Sequence, residues 1–268
     1  MGPFVWDPNP VAFTIPLIEK PIAWYGLLFA LGFFLASLIN RKMVASFLGD
    51  QSKVFCEKLF SAVFLGTLIG ARLGHLMFYE KWETWVLDPF QIVRVWEGGL
   101  ASHGAALGIL IALYMFSKKT KILSFWETVD LVVVPVALAA VFIRLGNFVN
   151  QEVLGTASNG SWAVIFLHPI DGSAIIPRHP VQLYEALIYA ASFVVLYRLW
   201  PIWRKQAGRI TGLFFILIFG SRFLIEYIKE GQSVYETGPF LMGQYLSIPL
   251  VLLGFWLCRQ RVKRERAF

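Results

Sequence analysis

LVVVPVALAAVFIRLGNFVNQEVLG, residues 131–155, opens as an unbroken apolar run and closes with Arg144, Asn147, Asn150 and Glu152 within nine residues. A run of this kind suits a helix crossing hydrocarbon, where about 20 apolar residues span about 30 Å. Its polar end is the unusual part. An arginine at the centre of a spanning helix costs about 2.5–3.5 kcal/mol, less towards the ends. The stretch predicts a helix over 127–148, kinked at Pro135, whose last turns do something other than cross the bilayer. Gly146 and Gly155, which weaken a helix, suit the close approach of a headgroup or a neighbouring backbone.

Six further apolar segments can be drawn, at 22–39, 59–79, 99–117, 181–200, 210–228 and 240–258. The chain of 268 residues is 57% hydrophobic and only 15% charged, against about 25% charged in soluble domains. No stretch of soluble composition is long enough to be a separate domain. The expected fold is an all-α polytopic membrane protein, residues 1–268 forming a single membrane-embedded domain with seven transmembrane helices. The net charge of +7 does not point to nucleic acid, because most cations sit in short loops between apolar runs. Sixteen Lys and Arg lie on the side of the C-terminal tail and five, Lys20, Lys81, Arg94, Arg178 and Lys229, on the other. That asymmetry puts the tail in the cytoplasm and the N-terminus outside.

The outer loops are the longer ones. Residues 80–98 carry Trp82, Trp85 and Trp96 and suit an arm lying along the interface. Residues 156–180 read as a small cap, with a hairpin around the turn signal HPIDGS. The first 21 residues lack the basic start of a signal peptide, and Asp7, Pro8, Pro10, Pro16 and Glu19 interrupt them. Cys56 and Cys258 lie near the cytoplasmic ends of segments and read as packing residues.

Once the direction of each segment is fixed, its polar residues acquire a depth. Tyr25, Arg72, His103, Arg144, Asn147, Asn150, Glu152, Gln182, Glu185, Arg222, Glu226, Gln244 and Ser247 all fall towards the outer leaflet. Ionisable groups at membrane depth mark functional sites by default. Alternatives stay open for each. Arg144 is close enough to a helix end to snorkel, Arg222 and Glu226 could neutralise each other at i, i+4, and the amides could be interhelical glue. Small residues around Arg72 would allow close helix packing. On a helix, Gln151 would share a face with Arg144 and Asn147. Two guanidiniums can hold a phosphate bidentately, and a histidine suits proton transfer near neutrality. No metal-ligand spacing or nucleotide loop appears. The pattern fits a reaction on a phosphate-bearing lipid without metal or cofactor. A transporter or channel with an outer-leaflet anion site is the rival.

IRLGNFVNQEVLG (143–155) resembles the signature of the bacterial prolipoprotein diacylglyceryl transferases. RVWEGGLASHGAALG (94–108), RHPVQLYEA (178–186), RFLIEY (222–227) and MGQYLSIP (242–249) resemble further segments of that family, in the same order. Three features depart: Ile143 stands for a glycine, only Val153 and Leu154 separate Glu152 from Gly155 where the signature has three residues, and Ile218 stands for a tyrosine found in some relatives. The resemblance implies transfer of diacylglyceryl from phosphatidylglycerol to the lipobox cysteine of a preprolipoprotein signal peptide, in the bacterial inner membrane. It assigns catalytic roles to His103, Arg144, Arg222 and Glu226. Substrate contacts are expected from Tyr25, Asn147, Asn150, Gln151, Glu152, Gly155, Arg178, Gln182, Glu185 and Gln244.

Overall fold

The computed structural model describes residues 2–16, 19–81, 87–94, 99, 101–231 and 239–260. Among them are seven long helices: α1 (Trp24–Leu48), α2 (Ser52–Phe78), α3 (Ser102–Thr120), α4 (Phe125–Val149), α5 (Val181–Trp203), α6 (Arg209–Ile225) and α7 (Met242–Arg259). Each overlaps one of the apolar segments. Most extend a few residues beyond it, because Lys, Arg and Glu are good helix formers and do not end a helix where the oil ends. Helix α4 runs through Pro135 without interruption, as α5 does through Pro201 and α7 through Pro249. Gly49, at φ +53°, separates α1 from α2.

Four helical stretches are long and apolar enough to cross a membrane: Trp24–Phe78, Phe125–Val149, Val181–Trp203 and Arg209–Ile228. The distribution of side chains agrees. Leu65, Ile69, Met115, Leu187, Leu224 and Leu252 are exposed on helices, while Gln182, Glu185, Thr211 and Ser247 are fully buried. In water that arrangement would be a liability; in lipid the apolar side chains meet their own kind and the polar ones must find partners inside. The chain is an all-α, multi-pass membrane protein.

Two compact units divide it. One takes Met1–Ile39 and Val132 onward, the other Asn40–Leu131. In the second unit, α2 and α3 pack through glycine. A Cβ on Gly66 would come within 2.8 Å of the Gly108 carbonyl oxygen, and one on Gly74 within 2.7 Å of the Gly104 Cα. Gly70 faces both Gly104 and Gly108. Backbones this close leave no room for any side chain, which is the small-residue route to tight packing in lipid. Near this seam Arg72, 6% exposed, donates from Nη1 to the Gly99 carbonyl at 3.3 Å. Gly99 has φ +71°, and a Cβ there would meet His75 at 2.6 Å. Cys56 and Cys258 are both free thiols.

The first unit also contains strands. β1 (Phe4–Trp6) pairs in parallel with β4 (Val164–Phe166), which pairs antiparallel with β5 (Pro177–Arg178). β2 (Val11–Ile15) and β3 (Lys20–Ala23) form an antiparallel pair. The expected hairpin in 156–180 therefore exists, but as two strands of a three-stranded sheet completed by the N-terminus. Its core is Phe148, Leu154, Val164 and Phe166, with Trp6 and Leu183 against it. Trp6 Nε1 donates to the Phe148 carbonyl at 3.0 Å. The N-terminal strands were not foreseen, because prolines break their alternation. In the segment 80–98, Pro89–Ile92 form a 3₁₀ turn and Arg94 pairs with Asp88 at 2.9 Å. Trp82, Trp85 and Trp96 lie outside the described residues.

Candidate active site

Helix α4 ends at Val149, and the chain then turns sharply: Gln151 has φ +53° and Val153 φ +60°. The turn folds the acidic end of the opening stretch back onto its basic part. Arg144 Nη1 donates to Asn147 Oδ1 at 3.0 Å, and Asn147 Nδ2 donates to Glu152 Oε1 at 2.7 Å. Asn150 Nδ2 reaches the same oxygen at 3.4 Å. The two amides thus relay between a guanidinium and a carboxylate. Gly146 is required by Tyr25: a Cβ there would meet Tyr25 Cδ2 at 2.7 Å. A neighbouring ring, not a backbone or a headgroup, uses that space.

Helix α5 supplies the counter-charge. Glu185 is fully buried, and its Oε2 lies 2.9 Å from Arg144 Nε. Arg144 did not find its way to the surface; its side chain is only 15% exposed. Tyr189, one turn on, donates to Glu185 Oε1 at 3.4 Å, and the Arg144 guanidinium lies 5.9 Å from its ring centroid. Gln182 Nε2 donates to the Glu152 carbonyl at 2.8 Å, fixing the turn after α4 to the start of α5.

Helix α6 ends in a 3₁₀ turn, Glu226–Ile228. Its Arg222 Nε is buried and has no hydrogen-bond partner among the described residues. No ion pair joins Arg222 to Glu226 among them. Instead Glu226 lies against Gly243 in the first turn of α7, where a Cβ would overlap its carboxylate, and a carboxylate there is favoured by the helix dipole. Its Oε2 is 3.9 Å from Lys229 Nζ. Gln244 accepts from the Leu241 amide at 3.0 Å and donates to the Phe223 carbonyl at 3.3 Å, joining α7 to α6.

Three expected contacts are occupied by the protein itself. Arg178 donates to the carbonyls of Gly155 (3.1 Å) and Ala174 (3.2 and 3.3 Å) and pairs with Glu230 at 2.6 Å. Gln151 lies beyond the end of α4, so the face shared with Arg144 and Asn147 does not extend to it. Its Oε1 accepts from the His168 amide at 2.7 Å. Gly155 is packed against the His179 backbone, where a Cβ would collide. His103, at the start of α3, belongs to the second unit. Its ring is exposed and sits 5.2 Å from Phe78 and 5.9 Å from Tyr79.

Two residues of the cluster were missed in the sequence. Lys229 was counted as a loop cation, yet it is 4% exposed and 3.6 Å from Glu185 Oε1. Its spacing of three from Glu226 was the available signal. Tyr189 stands four residues after Glu185, on the same helical face. Among the described residues no group of three His, Cys, Asp or Glu is placed to hold a metal ion.

The profile of the family described as prolipoprotein diacylglyceryl transferase matches residues 10–259. The chain belongs to this family. It is 41% identical to the phosphatidylglycerol–prolipoprotein diacylglyceryl transferase of Tolumonas auensis, over 97% of this chain and 98% of that protein. The protein of the same name from Porphyromonas gingivalis is 42% identical, with 96% and 94% covered. That from Protochlamydia amoebophila is 45% identical over 88% of this chain and 63% of its own length. All the clustered residues just described lie within the matched span.

Proposed function

We propose that the chain transfers the diacylglyceryl group of phosphatidylglycerol to the thiol of a lipobox cysteine, and that the Arg144–Arg222 region holds the lipid phosphate. Family membership supports the reaction. The observation that carries the site is the pair of guanidiniums in contrasting states: Arg144 is braced by Glu185 and Asn147, while the buried Nε of Arg222 has no hydrogen-bond partner among the described residues. A buried donor left unpaired costs about 1–3 kcal/mol, and a phosphate oxygen would relieve that cost.

In the reaction, sulfur attacks the glyceryl carbon bound to the phosphate oxygen. The C–S bond forms, the C–O bond breaks, and its electron pair leaves on the phosphate as glycerol phosphate. Arg144 and Arg222 stabilise that leaving charge. The thiol must lose its proton to become a nucleophile, and His103 is the proposed base. Glu226 orients the headgroup end of α6. Tyr25, Asn147, Asn150, Glu152, Gln182, Glu185 and Gln244 shape the donor pocket and hold its walls. Through their bonds to the turn beyond α4 and to Glu230, Gln151, Gly155 and Arg178 support it.

The same reading makes all seven helices spans, with the N-terminus periplasmic, the C-terminus cytoplasmic and the site near the periplasmic leaflet. The 80–98 arm and the 156–180 cap then face the periplasm, where the acceptor peptide arrives, and both substrates enter sideways from the bilayer. Helices α4 and α5 run unbroken through Arg144 and Glu185, whereas a transporter site would be expected at broken helices.

The test mixes purified protein with phosphatidylglycerol vesicles and a lipobox peptide. Glycerol phosphate release together with a diacylglyceryl mass gain on the peptide is expected; absence of both sinks the reading. Activity retained in His103→Gln but lost in Arg144→Ala would remove the base assignment alone.

A further inference from the structure

Lys229 is the one buried charge of the cluster that the transfer steps above leave unused. Its position is unusually well fixed. Gly155 and Lys229 form an antiparallel bridge. On either side, the Thr156 amide donates to the Ile228 carbonyl at 2.9 Å and the Glu230 amide to the Leu154 carbonyl at 3.0 Å. The backbone carrying Lys229 is thereby tied to the strand-like segment that follows Glu152. Its Nζ is directed inward, 3.6 Å from Glu185 Oε1 and 3.9 Å from Glu226 Oε2.

Glu185 is therefore shared. One oxygen meets Arg144, the other meets Lys229 and the Tyr189 hydroxyl. A fully buried carboxylate held from one side only would be free to swing its second oxygen onto Arg144 and close a bidentate pair. Such a pair would occupy the guanidinium edge that a phosphate needs.

We infer that Lys229 is a positioning residue for the transfer, holding Glu185 so that it braces Arg144 through one oxygen and leaves the guanidinium open to the donor phosphate. This rests on the transferase reading above. The charged groups facing Lys229 are Glu185 from α5, Arg144 from α4, and Arg222 and Glu226 from α6 and the turn after it, with the Tyr189 hydroxyl on the same Glu185 oxygen. Burial lowers the Lys229 ammonium below the ordinary lysine value; Glu185 and Glu226 raise it, and Arg144 and Arg222 lower it further. The ammonium form does the holding, so the positioning is present at low pH and is lost as pH rises through that lowered value.

The experiment measures kcat and KM for phosphatidylglycerol across pH in wild type, Lys229→Met and Lys229→Arg, with thermal unfolding in detergent for each. Lys229→Met should lose about 100-fold in kcat/KM, the scale of a misplacement near 1 Å. Lys229→Arg, which keeps its charge throughout, should retain activity and move the alkaline limb of the profile upward by about one pH unit or more. A structural tie alone would lower the melting temperature without moving that limb. Wild-type kcat/KM in Lys229→Met, or an unmoved alkaline limb in Lys229→Arg, overturns the proposal. If Lys229→Met does not fold, the arginine profile decides. An inactive wild type would instead overturn the transferase reading.

Discussion

The α2–α3 seam and the α4–α5–α6 cluster solve the same problem in opposite ways. Both are helix contacts in a chain whose outer surface is oil, so apolar burial by itself gives helices little reason to prefer each other over lipid. The seam uses the absence of side chains: Gly66, Gly70 and Gly74 against Gly104 and Gly108 bring two backbones into contact. The cluster uses charge: Arg144, Lys229, Glu185 and Glu226 sit at ion-pair distance, with two asparagines relaying to Glu152. Glycine packing tolerates no addition and can bind nothing. The ionic cluster shares its charges among several partners, and a ligand of the right charge can enter the exchange.

Breaking the seam should have the largest effect. Gly70→Leu would drive a side chain into the backbone of Gly104 and Gly108, costing more than about 4 kcal/mol; loss of the cooperative thermal transition in detergent is the readout. In the cluster, Arg222→Gln should leave folding almost unchanged, since the Arg222 head makes no hydrogen bond within the described residues. Its kcat should fall about 10²–10³-fold, as when a single charge-stabilising donor is removed. Full activity in that variant would move the phosphate elsewhere.

Arg178→Ala tests the boundary between site and support. Three hydrogen bonds to carbonyls and the Glu230 pair would go, lowering stability by about 2–3 kcal/mol, with KM for phosphatidylglycerol changing less than stability does. At the small end, Gly26→Ala adds a methyl in open space on α1. It should stabilise the helix by about 0.5–1 kcal/mol, read as a slightly higher melting temperature, and leave transfer intact. A loss of activity there would mean that something packs on that face during turnover.

Much of this was legible in the sequence. Among the described residues a long helix overlaps each of the seven apolar segments, and four helical stretches are long and apolar enough to cross a membrane; length and oil content are readable from composition alone. The prediction that small residues around Arg72 allow close packing has a counterpart in the glycine seam. The motif at 143–155 put Arg144, Asn147, Asn150 and Glu152 in one place, and they bond to one another. Less local matters were not legible. The first N-terminal strand, β1, pairs with residues 160 positions away, and prolines around the N-terminal strands hide their alternation. Gln151 looked like a continuation of a helical face, but the helix stops two residues earlier. Its side chain instead accepts from the His168 amide.

What the sequence by itself determined was the solvent, the place of the long helices and the family, since oil content, segment length and motif residues need no folded partner to be read. Tertiary structure alone decided who pairs with whom. Glu185 took Arg144 rather than leaving it to the surface, Glu226 turned to Gly243 and Lys229 rather than to Arg222, and a lysine counted as a loop charge became a buried partner of Glu185. The physical reason is desolvation. Once the helices exclude water, each charge must find its partner among whatever the packing brings within about 4 Å, and neighbours in sequence hold no privilege over neighbours in space.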